Sequence, residues 1–127
     1  MRKFYICLCV LPLVFITSCK QRSVEKSLLS LINVQNDKRN IIILIRDTDC
    51  SLCFERFINY RNGEKSCFHG FYYSTNPLLF LEKLNKINPT LNWQTLPNTK
   101  ILNLIESRYG RHGPYEFMVL GDNLVLQ

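Results

Sequence analysis

Two cysteines separated by two residues, Cys50 and Cys53, are the side chains of this sequence best suited to chemistry. They follow an apolar run at 41–45 and a polar stretch at 47–49. A thiol pair at this spacing can exchange a disulfide with a substrate, supply two ligands of a zinc ion, or form a structural disulfide. The position of the pair in the fold and the compartment of the protein decide among these three interpretations.

The pair lies where the sequence predicts the start of a helix. The polar stretch at 47–49 is typical of a turn and an N-cap, and the helix is predicted from Ser51 to about Tyr60. Apolar side chains recur there at helical spacing: Phe54, Phe57 and Ile58. A helix N-terminus stabilises a thiolate and lowers its pKa from about 8.5. We therefore expect Cys50 to be the nucleophile and Cys53, one turn inside, to resolve the mixed disulfide.

Charged residues on both sides of the pair modify this expectation. Asp47 and Asp49 would raise the pKa of the Cys50 thiol, in opposition to the helix N-terminus. Arg46 and Arg56 are interpreted as solvated cations, with balancing of the two aspartates as the alternative. The sequence leaves the net direction of the shift open.

The zinc hypothesis requires two further ligands, which the pattern C-x2-C-x13-C-x-H supplies: Cys50, Cys53, Cys67 and His69. Three thiolates and one imidazole suit a tetrahedral zinc ion, but one residue between the last two ligands is fewer than usual. Cys67 is equally explained as a small apolar residue on a strand. In the third hypothesis, the Cys50–Cys53 disulfide is inert and the protein has a binding or structural role.

The N-terminus indicates export. Arg2 and Lys3 precede an apolar stretch at 4–16, which is the layout of a secretory signal and is shorter than the roughly 20 residues of a spanning helix. The sequence Ile-Thr-Ser-Cys that ends at Cys19 resembles the lipobox of bacterial lipoproteins. That resemblance implies a signal peptide at 1–18 and acylation of Cys19 with chains such as palmitate.

An exported lipoprotein would face the periplasm from a lipid anchor in the cell envelope, where disulfides persist; the sequence leaves inner or outer membrane open. Residues 19–39 are predicted to form a tether with one short amphipathic helix. That helix would present one apolar side: Val24, Leu28, Leu29 and Ile32. Residues 40–127 remain for one small domain with one core.

Composition excludes other classes of function. The 127 residues carry 16 basic and 10 acidic side chains, for a net charge of +6, and no dense basic cluster with interleaved aromatic residues occurs. We therefore expect no nucleic-acid partner. Only three of the six cysteines lie beyond Cys19, which excludes a framework of several disulfides.

The order of predicted elements indicates an α/β fold. The elements are a strand at 41–45, the helix at 51–60, a strand at 67–74, helices at 77–87 and 98–109, and a C-terminal hairpin that turns at 121–123. Core-facing residues of the two later helices are predicted to be Phe80, Leu84, Ile87, Ile101, Leu104 and Ile105. Alternating strands and helices imply a central sheet covered by helices.

Residues 41–127 resemble a thioredoxin-like domain. Two features carry the resemblance: the strand at 41–45 that leads into Cys50-Ser51-Leu52-Cys53, and the segment "GPYEFMVLGDNLVLQ" that starts at Gly113. The resemblance implies a mixed sheet flanked by helices, and it places Pro114 at the family's cis-proline, with Gly113 beside it in the substrate groove. The Trp that usually precedes the first cysteine is Asp49 here, and the family's last helix would be missing after the hairpin.

The function implied by this resemblance is that of an envelope thiol-disulfide oxidoreductase, more specifically a reductase. Its substrates would be cysteines of exported proteins, a membrane thiol carrier would donate the electrons, and no dissociable cofactor would be needed. His112 would lie near Pro114, where a cationic imidazole could lower the pKa of Cys50; an exposed loop histidine is the alternative.

Overall fold

The computed structural model describes residues 24–110 and 113–127. Within them the chain forms five strands: β1 (Arg39–Arg46), β2 (Ser66–Tyr73), β3 (Gln94–Thr95), β4 (Tyr115–Leu120) and β5 (Asn123–Leu126). They build one mixed sheet in the order β3-β2-β1-β4-β5. The strands β1, β2 and β3 are parallel, and β4 and β5 are antiparallel to their neighbours. Flanked by helices, this sheet confirms the predicted α/β architecture with a central mixed sheet.

The strand β1 lies at the centre because it has no polar face. Ile41 to Ile45 are all buried, as expected for a β-branched run between two neighbouring strands and two covering layers. In register, Ile43 pairs with Gly70 of β2 on one side and with Glu116 of β4 on the other. The residues that follow β1 therefore emerge from the middle of the sheet.

Within the described ranges, four helical segments cover the sheet. They are α1 (24–30), a 3₁₀ helix (Ser51–Phe57), α2 (Pro77–Ile87) and α3 (Lys100–Tyr109). Pro77 is the first residue of α2, as predicted, because its fixed φ and missing N–H suit that position. Gly110 ends α3 in the left-handed conformation, with φ 64°.

Each face of the sheet has its own apolar core. The helices α1 and α3 cover one face, where Leu28, Leu102 and Ile105 pack with Ile42 and Leu44 of β1. The 3₁₀ helix and α2 cover the other face, with a core that includes Ile43, Phe54, Phe57, Phe80 and Leu84. Alternating side chains of β1 thus contribute to both cores, and both faces are covered within the described residues.

The segment predicted as a tether is partly a structural element. Val24 and Leu28 are 6% and 1% exposed and belong to the core under α1. The amphipathic pattern of 24–32 was recognised, but the folded sheet offers an apolar face that this short helix can bury. Residues 24–39 therefore belong to the folded unit, while the rest of the predicted tether lies outside the described residues.

A truncation tests the docking of α1. We expect Leu28→Ala to lower the free energy of unfolding by about 2–3 kcal/mol, because it removes a fully buried side chain. The matched control is Leu78→Ala on α2, whose side chain is 81% exposed and should cost less than about 0.5 kcal/mol. Urea denaturation of both variants measures the difference. Equal stability of Leu28→Ala and the control would show that α1 is undocked in solution.

Two predicted helix faces needed correction. In α3 the buried residues are Leu102 and Ile105, Ile101 is partly buried, and Leu104 is exposed, contrary to prediction. After the cysteine pair Ile58 is exposed, because in a 3₁₀ helix Phe54 and Phe57, three residues apart, share one ridge and Ile58 turns away.

None of the helices in the described ranges combines the length and the apolar character that crossing a bilayer would require.

Candidate active site

The cysteine pair lies at the carboxyl end of the central strand. Cys50 is the N-cap of the 3₁₀ helix and is exposed, and Cys53, inside the first turn, is partly buried. Neither is part of a disulfide in this structure. Cys50 is therefore the more accessible thiol of the pair.

A hydrogen-bonded turn fixes the approach to Cys50. The Arg46 amide donates to Asp49 Oδ2 over 2.8 Å, and the Asp49 amide donates back to the Arg46 carbonyl over 3.1 Å. The Cys53 amide then donates to the Cys50 carbonyl over 3.0 Å and starts the 3₁₀ helix. Through these bonds Asp49 stabilises the turn, as expected for an aspartate at this position.

Asp47 ties the ends of two neighbouring strands together. Its Oδ2 accepts hydrogen bonds from Ser74 Oγ over 2.7 Å and from the Thr75 amide over 3.3 Å. The end of β2 and the start of α2 are thereby held beside the segment that leads to Cys50.

The helix behind the pair is shorter and tighter than predicted. An α-helix was expected to about Tyr60, but the 3₁₀ helix ends at Phe57. Seven residues of 3₁₀ helix give little macrodipole, so the expected dipole is not what stabilises a thiolate at Cys50.

Local hydrogen bonds stabilise that thiolate instead. The pKa of Cys50 lies below its ordinary value, first because the Cys53 thiol donates to its sulfur, and then because the backbone amides of Cys53 and Leu52 do so. The pKa of Cys53 is raised, since it is the donor in the same bond and is also affected by burial and by the Cys50 charge. The two thiols thus differ in the direction that a nucleophile and a resolving partner require.

A cleft of about 520 Å³ opens beside Cys50. Its lining comes from the end of β1, the turn, α3 and the start of β4: Arg46, Thr48, Asp49, Cys50, Glu106, Gly113 and Tyr115. Pro114 lies between two of these lining residues, and the Gly113–Pro114 peptide bond is cis, as the resemblance implies. The structure thus brings the Gly113–Pro114 segment and Cys50 to one cleft.

Gly113 approaches the turn too closely for a side chain. A Cβ there would lie 2.8 Å from Asp49 Oδ2 and 3.2 Å from the Tyr115 ring. We expect Gly113→Ala to cost about 1–3 kcal/mol by overpacking. Gly63→Ala is the control, because nothing lies within 4 Å of its added Cβ. Thermal denaturation of the two variants tests this, and equal melting temperatures would contradict the close approach.

Two arginines described as solvated from the sequence are held by glutamates. Arg46 lies 3.4 Å from Glu106 and donates to Asn103 Oδ1 over 3.0 Å, so it links β1 to α3 across the cleft. Arg56 lies 3.1 Å from Glu116 on β4.

The contact of Arg56 belongs to a small network that the sequence analysis did not find. Glu116 is 9% exposed, and the Tyr60 hydroxyl lies 3.0 Å from each of its carboxylate oxygens. Burial and the nearby Glu116 carboxylate raise the pKa of Tyr60, so that it remains a hydrogen-bond donor. Alternation along β4 could have shown that a carboxylate points into a core, but not which side chains satisfy it.

The four residues of the zinc hypothesis do not come together. Cys67 pairs in register with Asn40 at the start of β1, whereas Cys50 follows the end of β1. About six residues of strand, or roughly 20 Å, therefore separate the two ends. Within the described ranges no group of three or more His, Cys, Asp or Glu residues is placed to hold a metal ion.

Cys67 and His69 instead line a separate pocket of about 250 Å³ at the opposite end of the sheet. His69 Nε2 lies 3.1 Å from Asn40 Oδ1, and burial lowers the pKa of His69. The Asn40 amide nitrogen donates to two backbone carbonyls, which orients its oxygen toward His69. Cys67 and His69 therefore lie in a different part of the fold from Cys50 and Cys53.

Three predicted features lie outside the described residues: His112, the signal peptide at 1–18 and the acylation site Cys19. They remain predictions. Comparisons of the chain with protein-family models, with curated proteins and with solved structures found no match.

Proposed function

We propose that this chain is a thiol-disulfide oxidoreductase with a thioredoxin-like fold, in which Cys50 attacks and Cys53 resolves. One observation carries the proposal: Cys50 is exposed at the start of the 3₁₀ helix and lines the cleft beside Gly113, whereas Cys53, inside the first turn, is partly buried. Hydrogen bonding between the two thiols supports the same assignment, because it lowers the pKa of Cys50 and raises that of Cys53. A structural disulfide needs no such asymmetry. A nucleophile and its resolving partner do.

The chemical cycle follows from this asymmetry. The Cys50 thiolate attacks a substrate disulfide, a Cys50–substrate disulfide forms, and one substrate sulfur leaves as a thiolate that takes a proton from water. Cys53 then loses its proton and attacks Cys50 Sγ, so that the second substrate sulfur leaves. The substrate disulfide is reduced to two thiols, and the two protein thiols are oxidised to one disulfide. A second dithiol, proposed to be a membrane thiol carrier, returns the pair to the reduced form.

The arrangement of the sheet supports the finer fold assignment. Parallel strands β1 and β2, the antiparallel hairpin of β4 and β5, and Pro114 immediately before β4 follow the order expected of a thioredoxin-like domain. The cleft between Cys50 and Gly113 would then be the substrate groove. Its lining of charged side chains together with the Tyr115 ring suits an extended peptide segment around a substrate cysteine.

Location in the bacterial envelope is the second part of the proposal. The lipobox-like sequence at Cys19 and the need for substrates with disulfides both support an exported, lipid-anchored protein. The substrates would be exported proteins with cysteines. Incorporation of labelled palmitate, lost in a Cys19→Ser variant, tests this part; unchanged labelling of the variant would contradict it.

Covalent trapping tests the proposed activity. A Cys53→Ser variant cannot resolve a mixed disulfide but keeps a hydroxyl that can donate to Cys50. In the native envelope it should accumulate disulfide-linked adducts that dissolve on reduction. The Cys50→Ser variant should form none, and Cys67→Ser in the trapping background should leave the adducts unchanged. Absence of adducts from the Cys53→Ser variant would contradict the activity.

A further inference from the structure

The tight helix places an arginine on the same ridge as the cysteine pair. In a 3₁₀ helix side chains three residues apart eclipse one another. Cys50, Cys53 and Arg56 are spaced in this way and share one ridge, next to the ridge of the buried Phe54 and Phe57. Arg56 is therefore one turn below the resolving thiol.

One contact from β4 and one within the 3₁₀ helix hold the guanidinium there. Arg56 Nη2 lies 3.1 Å from Glu116 Oε2, and the guanidinium carbon lies 4.9 Å from the Phe57 ring centroid. Glu116 is itself fixed by the Tyr60 hydroxyl and by burial on β4. A side chain that is 44% exposed is thus confined to one place.

The charged and titratable groups that act on Cys53 are Cys50, Arg56 and Asp49. Behind them, Glu116 contacts Arg56 and Tyr60, and the Lys83 ammonium on α2 lies 3.4 Å from Ser51 Oγ. Donation to Cys50, burial, the Cys50 charge and Asp49 all raise the pKa of Cys53. Arg56 lowers it.

We propose that Arg56 is a positioning residue that acts through Cys53, stabilising the Cys53 thiolate while the mixed disulfide is resolved. This inference rests on the proposed function. Once Cys50 is bound to a substrate sulfur, it has no negative charge and no longer accepts the Cys53 proton. Asp49 and burial then still oppose ionisation of Cys53, and the guanidinium of Arg56 favours it. The released proton goes to water, and the electron pair of the broken S–S bond leaves with the substrate sulfur.

The proposal is tested by resolving the two steps in time. The full-length chain, with the four cysteines outside the pair replaced by serine, is reduced and mixed with one equivalent of dithiodipyridine, an uncharged aromatic disulfide. Thiopyridone absorbance then shows a first phase from attack by Cys50 and a second phase from resolution by Cys53. The rate of the second phase against pH reports the ionisation of Cys53 in the mixed disulfide.

We expect Arg56→Gln to slow the second phase about 3- to 10-fold near pH 7, since loss of the guanidinium raises the pKa of Cys53 and leaves a smaller fraction of it as thiolate. Above the pKa the variant should be as fast as the unaltered protein or faster, because a more basic thiolate is more nucleophilic. General structural damage would slow both phases at every pH. Arg56→Lys, which keeps the charge, should fall between the two, and Lys83→Gln is the matched control for loss of a neighbouring cation.

Salt provides a second measurement that needs no variant. Raising the ionic strength from about 0.05 to about 1 M should slow the second phase below the pKa, because a half-exposed charge is screened. A second phase with the same pH profile in Arg56→Gln and in the unaltered protein would overturn the inference and leave the proposed function intact. If the unaltered protein releases only one equivalent of thiopyridone, the proposed function fails and the inference fails with it.

Discussion

Replacement of Cys50 by serine is expected to abolish disulfide reduction, lowering the rate by about 10³-fold or more, because a hydroxyl cannot replace the thiolate as the attacking group. Cys50 is the exposed member of the pair and the one whose pKa is lowered. The assay is reduction of a disulfide-bonded protein by the chain with dithiothreitol as the electron source. Cys67→Ser, remote from the cleft, should remain within about twofold of the unaltered protein.

The reactivity of Cys50 against pH measures how far its thiol is ionised, which is the reason for its expected role as the attacking group. Because donation from the Cys53 thiol lowers the pKa of Cys50, alkylation of Cys50 by iodoacetamide should reach its plateau at a lower pH than alkylation of a free thiol of pKa about 8.5. In Cys53→Ala the donor is lost, and the midpoint should move to higher pH. A midpoint that is the same in both proteins would contradict the assignment of the hydrogen bond as the main cause.

Replacement of Asn88 by alanine is expected to lower the free energy of unfolding by about 2–4 kcal/mol, since it leaves the buried Phe57 carbonyl and the partly buried Tyr60 carbonyl without their donors. Asn88 is fully buried after the last residue of α2. Its Nδ2 donates to the carbonyls of Phe57 over 2.6 Å and Tyr60 over 2.8 Å, and its Oδ1 accepts from the amide and hydroxyl of Thr90. One side chain thus fastens the end of the 3₁₀ helix to the end of α2.

The control for this variant is Asn76→Ala at the other end of α2. Asn76 is the N-cap, but it is exposed and its side chain makes no cap hydrogen bond, so the expected cost is about 0.5 kcal/mol or less. Guanidinium denaturation gives both values. Similar costs for the two variants would show that the fastening of the 3₁₀ helix is weaker than its geometry indicates. Asn88 holds the segment that carries Cys53 and Arg56. Its replacement should therefore also lower the rate of the second phase of the dithiodipyridine reaction.

The sequence was most informative where local pattern and burial agree. The run at 41–45 could only be a strand buried on both faces, and Pro77 and Gly110 mark the ends of α2 and α3 through fixed backbone preferences. The position of Cys50 follows from these elements, because a turn after a central strand leads to one edge of the sheet. The place of Gly113 beside Cys50 did not follow from these local patterns; it was implied by the resemblance to thioredoxin-like domains.

Three features of the fold depend on tertiary contacts and could not be predicted from the sequence: the type of helix after Cys50, the strand β3 and the docking of α1. The choice between an α-helix and a 3₁₀ helix after Cys50 depends on one shift of the hydrogen-bond pattern, for which the residues give no clear signal. The short strand β3 lies between the two later helices, where no strand was predicted, because Gln94 and Thr95 pair with an edge that exists only after β2 has formed. Docking of α1 likewise needs a finished sheet.

The network of Arg56, Tyr60 and Glu116 could not be predicted from the sequence for a related reason. Tyr60 and Glu116 are 56 positions apart, and Arg56 and Glu116 meet only because β4 lies antiparallel to β1 under the 3₁₀ helix. Charges that look solvated in a sequence become part of a site when the fold brings an opposite charge to them. The same applies to Arg46, which binds Glu106.

The reduction potential of the Cys50–Cys53 pair tests the central claim most directly. The protein, equilibrated with defined ratios of reduced and oxidised dithiothreitol or glutathione, is alkylated and the two redox forms are counted by mass. We expect reversible formation of the Cys50–Cys53 disulfide with a potential between about −270 and −120 mV, the range of thiol-disulfide exchange proteins. A potential below about −300 mV together with no transfer to a substrate disulfide, or no disulfide between the two residues at all, would contradict the account.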